Sequence, residues 1–103
     1  MMMSIKMDDR QLNRALQAIA KDKRLNVWHI SLLVALHILA ANQGQLAGVK
    51  ASRSKIMALS HINTFPTYHK YFRELQVLGY INYRPSYHPG IRSEIDLLNY
   101  PSL

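Results

Sequence analysis

The stretch from Asn63 to Ile81, NTFPTYHKYFRELQVLGYI, predicts a helix that ends where a strand begins. Pro66 is compatible with a first helical turn, where its missing N–H has no partner to lose, and Gly79 is a typical helix stop. Between them, apolar side chains recur at spacings of three and four, the period of one helix face: Tyr68, Tyr71, Phe72, Leu75 and Leu78. The helix is therefore expected to pack by one side and to expose the other.

The side opposite this apolar stripe is polar and mostly basic. At about 100° per residue, it holds Pro66, His69, Lys70, Arg73 and Glu74. Asn63 and Thr64 precede the helix and are of the types that cap helix starts, because their side-chain oxygens accept free backbone N–H groups. Lys70 and Arg73 are interpreted as a binding face, with an ordinary solvated face as the alternative. Glu74 is interpreted as a salt-bridge partner on the surface.

A second helix with an apolar side is predicted just before this stretch, and a longer one before that. Asn26 caps VWHISLLVALHILAANQG, the most apolar segment, which Gly44 ends; we expect a buried central helix over 26–42. The sequence allows a short strand over 49–51, after which Ser52 caps the helix RSKIMALS. This helix and the one after it, joined by a turn of about three or four residues, form a helix-turn-helix.

The N-terminal region, residues 1–25, is predicted as a lead-in followed by an amphipathic helix over about 9–21. Its apolar stripe consists of Leu12, Ala15, Leu16 and Ile19. Two interpretations stay open, a helix that lies on the core and a dimerisation arm.

After Gly79 the period changes to that of a strand. We expect antiparallel strands near 80–84 and 91–97, with Ile91, Ser93, Ile95 and Leu97 on the inner face of the second. The loop RPSYHPG over 84–90 separates them, so the pair is a hairpin with a basic and aromatic tip. Residues 99–103 are a short tail.

The overall charge favours a polyanionic partner. The chain has 103 residues, enough for one domain, with 13 Lys and Arg against 6 Asp and Glu, a net charge of +7. No acidic residue occurs between Lys23 and Arg73, although the same window contains Arg24, Lys50, Arg53, Lys55 and Lys70. Nucleic acid and an anionic membrane are the two partner classes that such a charge suggests.

Several other classes are disfavoured. The absence of cysteine suits a cytoplasmic protein and removes thiol nucleophiles, disulfides and cysteine-based zinc sites. The central apolar segment is shorter than the about 20 residues that span a membrane. The five histidines have no metal-ligand spacing, and no nucleophile–base pair or glycine-rich phosphate loop occurs. We therefore expect no enzyme, no cofactor, no metal, no membrane contact and no small-molecule ligand.

The order of elements and three segments resemble a known family. SRSKIMALS, TYHKYFRELQVLGYI and INYRPSYHPGIRSEIDL are similar to the two helices and the wing of winged-helix DNA-binding domains in bacterial transcriptional regulators, including MarR-like and GntR-like ones. The resemblance covers about residues 26–98 and implies a single domain, mainly α with a small β-hairpin, in a winged helix-turn-helix fold. The usual glycine of the turn is missing, since the turn is SHIN.

The resemblance implies a regulator that binds double-stranded DNA, with a recognition helix over about 64–78 and a basic wing over about 84–92. A helix fits the roughly 12 Å wide major groove, where arginine donates to guanine. Helix N-termini and basic side chains also favour phosphate. The expected DNA-binding residues are Ser52, Arg53, Ser54, Lys55, Asn63, Thr64, Thr67, His69, Lys70, Arg73, Arg84, Tyr87, His88 and Arg92.

Such a regulator is expected to be a homodimer, because one recognition helix covers few base pairs. The N-terminal helix is the candidate dimer surface. The alternatives are a winged-helix protein–protein interaction module that uses the same surface on an acidic partner, and a replication or mobile-element accessory protein. A peripheral membrane binder is disfavoured, since the apolar helix lacks a polar face.

Overall fold

The structure, a computed structural model, describes residues 9–88 and 90–98 and contains there four helices and one three-stranded antiparallel sheet. In chain order the elements are α1 Asp9–Lys21, α2 Val27–Gln43, β1 Val49–Ala51, α3 Arg53–Ser60, α4 Phe65–Val77, β2 Ile81–Arg84 and β3 Ser93–Leu97. The fold is therefore mainly α, as expected. The predicted lead-in over 1–8 and the tail over 99–103 lie outside the described residues.

Helix α2 is the centre of the core, which confirms the prediction for 26–42. Its N-terminus is capped by Asn26, whose side-chain oxygen accepts the N–H groups of Trp28 and His29 at 2.9 and 3.3 Å. Gly44 ends the helix in the left-handed conformation, with φ of 69°. The side chains that α2 buries are His29, Leu32, Leu33, Ala35, Leu36, Leu39 and Ala40. Because caps act locally, both ends could be predicted from the sequence.

Burial of α2 is one-sided, so the predicted central helix is not buried on every side. Val27, Val34 and Ile38 are 70%, 45% and 40% exposed. They lie seven and four residues apart and therefore on one side of the helix. No described element covers this side, so its apolar side chains remain in contact with solvent.

In the turn between α3 and α4, His61 takes the place of the usual glycine. His61 adopts the left-handed conformation with φ of 62°, and its N–H donates to the Met57 carbonyl, which ends α3. This conformation is one that glycine normally takes at the end of a helix. Ile62 is buried, so the turn is also fastened to the core.

The three strands form one sheet in the order β1-β3-β2, so the predicted hairpin is part of a larger sheet. In the register, Val49 lies opposite Ile95, and Arg84 lies opposite Glu94. Strand β3 begins at Ser93, two residues later than predicted, and Ile91 is 61% exposed rather than inward. The reason is that β1 ends opposite Ser93 and β2 ends opposite Glu94. Residues before Ser93 therefore have no strand to pair with.

Helix α1 packs on the core. Ala15 and Ile19 are buried, while Leu16 is 45% exposed. Just after α1, Asp22 accepts a hydrogen bond from the Tyr80 hydroxyl at 2.7 Å. Burial, together with this bond, raises the pKa of Tyr80 to about 12. Of the two interpretations of α1, the structure therefore supports the helix that lies on the core.

Candidate nucleic-acid interface

The outer face of α4, defined here as His69, Lys70 and Arg73, is exposed, as the sequence predicts. The opposite side is held in the core by Tyr68, Phe72 and Leu75, which are at most 5% exposed. Thr64 precedes the helix, but the predicted side-chain cap is wrong: its hydroxyl makes no bond to the helix backbone and instead donates to Thr67 Oγ1 at 2.9 Å. Packing on one side therefore orients the basic residues toward solvent.

The only carboxylate of α4 is turned away from this outer face. Glu74 Oε1 lies 2.7 Å from His29 Nε2 on α2. The other ring nitrogen, Nδ1, accepts the Asn26 N–H at 2.9 Å, so Nε2 carries the proton and donates to Glu74. An accepting Nδ1 leaves the ring with a single proton, so this contact is a hydrogen bond to the carboxylate rather than the salt bridge that the sequence predicts.

The cations of the outer face are consequently not neutralised. Neither Lys70 nor Arg73 forms a salt bridge in the part of the chain that the structure describes. The Lys70 ammonium lies 5.2 Å from the centre of the Tyr71 ring, a cation–π distance that keeps its charge. The face can therefore attract an anion.

The N-terminus of α3 lies next to the N-terminus of α4. Ser52 caps α3 by accepting the Lys55 N–H at 3.2 Å. The Arg53 guanidinium lies 4.5 Å from the centre of the Phe65 ring at the start of α4. Phe65 is 54% exposed and was missed by the sequence analysis; its position outside the apolar stripe of α4 was the available signal.

Two depressions flank these N-termini. The larger, called the α4–hairpin groove below, has a volume of about 650 Å³ and is lined by Ala51, Ser52, Arg53, Ile56, Tyr68, His69, Phe72, Tyr83, Gly90, Ile91, Arg92, Ser93 and Ile95. The smaller, about 510 Å³, is lined by Ser52, Arg53, Ser54, Met57, Ala58, Ile62, Asn63 and Phe65. Predicted site residues from α3, from the turn, from α4 and from the hairpin therefore meet along one side of the molecule.

Arg84 on β2 differs from the other predicted site residues, because its charge is already paired. Its Nη2 lies 3.0 Å from Glu94 Oε1, and its Nη1 donates to Asp96 Oδ2. Asp96 also accepts the Gly48 N–H at 2.8 Å and a bond from Asn82 at 3.1 Å. The hydrogen bond from Arg84 is the largest reason that the pKa of Asp96 falls to about 2. Arg84 therefore links β2 to β3 through ion pairs with both carboxylates.

The other hairpin residues lie in or beside the loop and are exposed: Tyr87, His88 and Arg92. Tyr87 is 88% exposed. Arg92 lines the α4–hairpin groove, whereas Tyr87 and His88 border a separate depression of about 300 Å³ on the hairpin itself. The structure therefore brings Arg92, but not Tyr87 or His88, to the groove beside α4.

Two further observations bear on other kinds of site. None of the helices in the described ranges is long and apolar enough to span a bilayer. No three histidine, aspartate or glutamate side chains converge on a possible metal position among residues 9–88 and 90–98.

Comparison with known proteins adds no relative: no protein-family model, no curated protein and no solved structure matches this chain.

Proposed function

We propose that this protein is a winged-helix transcriptional regulator that binds double-stranded DNA, with the outer face of α4 in the major groove. The observation that carries the proposal is the bond between Glu74 and His29, because it leaves Lys70 and Arg73 unneutralised on one exposed helix face. A helix fits the roughly 12 Å wide major groove, where lysine and arginine donate to guanine.

The arrangement of elements supports the winged-helix assignment. Strand β1 lies between α2 and α3 in the chain and pairs with β3, while β2 and β3 form a hairpin directly after α4. In the proposal the hairpin is the wing, α3 and α4 are the helix-turn-helix, and the N-terminus of α3 contacts backbone phosphate.

The test is binding to DNA at several salt concentrations. A fluorescein-labelled duplex of random sequence measures general affinity by anisotropy, and selection from a random DNA pool identifies any preferred site. Affinity should fall with salt at a log–log slope of about −0.9 per neutralised phosphate. A protein that binds neither the random duplex at low salt nor any selected sequence is not a DNA-binding regulator.

A protein–protein interaction module is the second candidate. The exposed Phe65 and Ile91, 54% and 61% accessible, border the same surface and suit contact with apolar side chains of an acidic protein. A replication or mobile-element role would use the DNA surface in the same manner. The salt experiment separates the interaction module from both DNA-binding roles.

The proposal includes a homodimer, for which α2 now offers a better surface than α1. The stripe Val27, Val34 and Ile38 is apolar and contains no formal charge, so two basic copies can meet there. On α1, Ile19 is used by the protein's own core. The stripe also lies on the side of α2 opposite His29, the residue that contacts α4, so a second copy would not cover α4.

Light scattering tests this arrangement. Val34→Glu combined with Ile38→Glu should convert a dimer into a monomer, whereas Leu16→Glu, an equally exposed position on α1, should leave the dimer intact. A parent protein that is monomeric both free and on DNA contradicts the homodimer. The cytoplasmic location stays a prediction.

A further inference from the structure

The α4–hairpin groove contains one buried side chain with a hydroxyl that the fold does not use. Tyr68 is 5% exposed and stacks on Phe72 with ring centres 5.2 Å apart. Its edge contact with His69 has a centre distance of 5.3 Å. The Tyr68 hydroxyl makes no hydrogen bond to any residue in 9–88 or 90–98. The hydroxyl oxygen itself is not fully enclosed, so it reaches the open groove, where an acceptor oxygen of a ligand can replace water.

The hydroxyl is held in its donor form. Burial raises the pKa of Tyr68 well above the ordinary range, and the positive charge of Arg53 offsets this only in part. Tyr68 is therefore protonated at neutral pH and can donate one hydrogen bond.

The charged groups that line the groove have one sign. Arg53 and Arg92 come from two different elements, α3 and the hairpin, and no carboxylate is among the lining residues. Guanidinium groups only donate hydrogen bonds, and they match the geometry of phosphate oxygens. The preferred ligand is therefore an anion with several acceptor oxygens.

We propose that the α4–hairpin groove binds a phosphate group, which accepts a hydrogen bond from the Tyr68 hydroxyl and lies between Arg53 and Arg92. This inference rests on the proposed function in so far as the phosphate belongs to the DNA backbone. Ile91, the exposed apolar residue of the lining, would then contact the adjoining sugar. Tyr68 thereby joins the two faces of α4, with its ring in the core and its hydroxyl on the ligand.

The position of the groove favours a DNA backbone over a free phosphorylated molecule. His69 lines the groove and directly precedes Lys70 of the outer face, so a duplex seated on that face carries one strand across the groove. The groove is also open to solvent rather than enclosed, which suits a continuous chain.

The test compares Tyr68→Phe with Tyr71→Phe. Tyr71 lies on the side of α4 that faces α2, where its ring contacts Trp28 and His29. Tyr71→Phe therefore removes the same hydroxyl group at a position away from the groove. Both variants keep the aromatic ring, and thermal unfolding of each should match the parent. Binding to a random-sequence DNA duplex is measured at fixed salt by fluorescence anisotropy.

Tyr68→Phe should weaken binding about tenfold, the usual effect of one hydrogen bond to a charged group, and by the same factor on the random duplex and on any selected sequence. Tyr71→Phe should bind like the parent. If the parent binds the duplex and both variants bind equally well, the phosphate site is wrong although the proposed function stands.

If the parent does not bind the duplex at all, the proposed function fails and the groove is tested separately. A deoxynucleoside 5′-monophosphate is titrated while amide resonances are followed by NMR. Shifts at Arg53 and Arg92 that disappear in Tyr68→Phe support a site for a free phosphorylated molecule. The absence of such shifts overturns the inference.

Discussion

Arg73 on α4 and Arg84 on β2 are both exposed arginines in basic segments, and their surroundings differ. Arg73 forms no salt bridge in the described part of the chain, because the only carboxylate of its helix is bonded to His29. Arg84 lies between Glu94 and Asp96 on the neighbouring strand. The positions of the carboxylates, rather than the number of arginines, decide which of the two guanidinium groups remains available to an anion.

The local geometry of each element explains this difference only in part. On a strand, residues directly opposite interact, so the pairing of Arg84 with Glu94 follows from the register. On a helix, Lys70 and Glu74 are four apart and could pair. They do not form a salt bridge, because the buried ring of His29 attracts the glutamate. A contact between α2 and α4 therefore leaves the outer face of α4 positively charged.

The largest effect is expected on α4. Lys70→Ala combined with Arg73→Ala should lower the affinity for a selected DNA site by about 2 to 4 kcal/mol, since each base contact contributes about 1 to 3. Arg73→Ala alone should also relax the preference at one base position. Unfolding by urea should change by less than about 0.5 kcal/mol, because both side chains are on the surface. A double variant that binds like the parent would show that this face is merely solvated.

Mutation of the carboxylate that pairs with Arg84 on the hairpin should change the stability of the fold rather than the affinity for DNA. Asp96→Ala removes the acceptor for Arg84, Asn82 and the Gly48 N–H, and should cost about 1 to 3 kcal/mol of unfolding free energy. Urea denaturation measures the loss. Asn82→Ala, which breaks only one of these bonds, is the matched control and should cost less. Equal stability of both variants and the parent would contradict the role of Asp96.

Protonation of Asp96 in acid should lower the unfolding free energy less than Asp96→Ala does, because the side chain stays in place. The pKa of Asp96 is lowered from 3.8 to about 2 in the folded protein. The stabilisation is therefore complete above about pH 4 and is lost as the pH falls toward 2. Asp22, which accepts hydrogen bonds from Arg24 and Tyr80, also has a pKa below its usual range.

Urea denaturation at a series of pH values should accordingly show a smaller acid loss in Asp96→Asn than in the parent. The difference between the two proteins isolates Asp96, because Asp22 contributes equally to both. Identical acid profiles would mean that the ion pair with Arg84 does not stabilise the sheet.

A smaller effect on both DNA affinity and stability is expected for Arg84→Ala. This variant tests the comparison between Arg73 and Arg84 directly. The sequence suggested a phosphate contact, but two carboxylates already neutralise this guanidinium. The variant should bind DNA within about 0.5 kcal/mol of the parent and lose about 0.2 to 1 kcal/mol of stability, the usual value of an exposed ion pair.

Arg92→Ala is the control for Arg84 on the same hairpin. Arg92 forms no salt bridge among the described residues, so its removal should weaken binding to all sequences and lower the salt slope by about 1. If Arg84→Ala weakens DNA binding as much as Arg92→Ala does, pairing with carboxylates does not prevent an arginine from contributing to DNA binding.

The smallest effect concerns the turn that joins α3 and α4. His61→Gly should stabilise the fold by about 0.5 kcal/mol, because relief of the left-handed strain is partly offset by the chain entropy of glycine. Thermal unfolding measures the gain, and DNA binding should not change. Gly79→Ala, at φ of 86°, should shift stability in the opposite direction. A loss of stability in His61→Gly would show that the histidine ring, rather than the backbone, holds the turn.

Much of the architecture could be predicted because its signals are local. Ser52 and Asn26 cap the helices that follow them, and Pro66 lies in a first turn, as the sequence predicts. The periodicity of α4 identified its buried face correctly. The predicted start of β3 is two residues too early, because the alternation of apolar and polar residues continues past the point where the partner strands end.

The candidate site was less predictable, since its chemistry depends on pairs far apart in the chain. Periodicity assigned Tyr68 to the core, but it could not show that the hydroxyl lacks an acceptor. Composition placed Arg84 among the basic residues, but it could not show the two carboxylates beside it.

The amino-acid sequence by itself determined the helices, the side-chain caps of α2 and α3, the turn segments and the excess of positive charge, because these follow from interactions within a few residues. Only the tertiary structure decided which charges remain unpaired. The bond between His29 and Glu74 joins residues 45 positions apart, and the bond between Gly48 and Asp96 joins residues 48 positions apart. No local pattern encodes such pairs, because they form only when the whole core brings distant segments together.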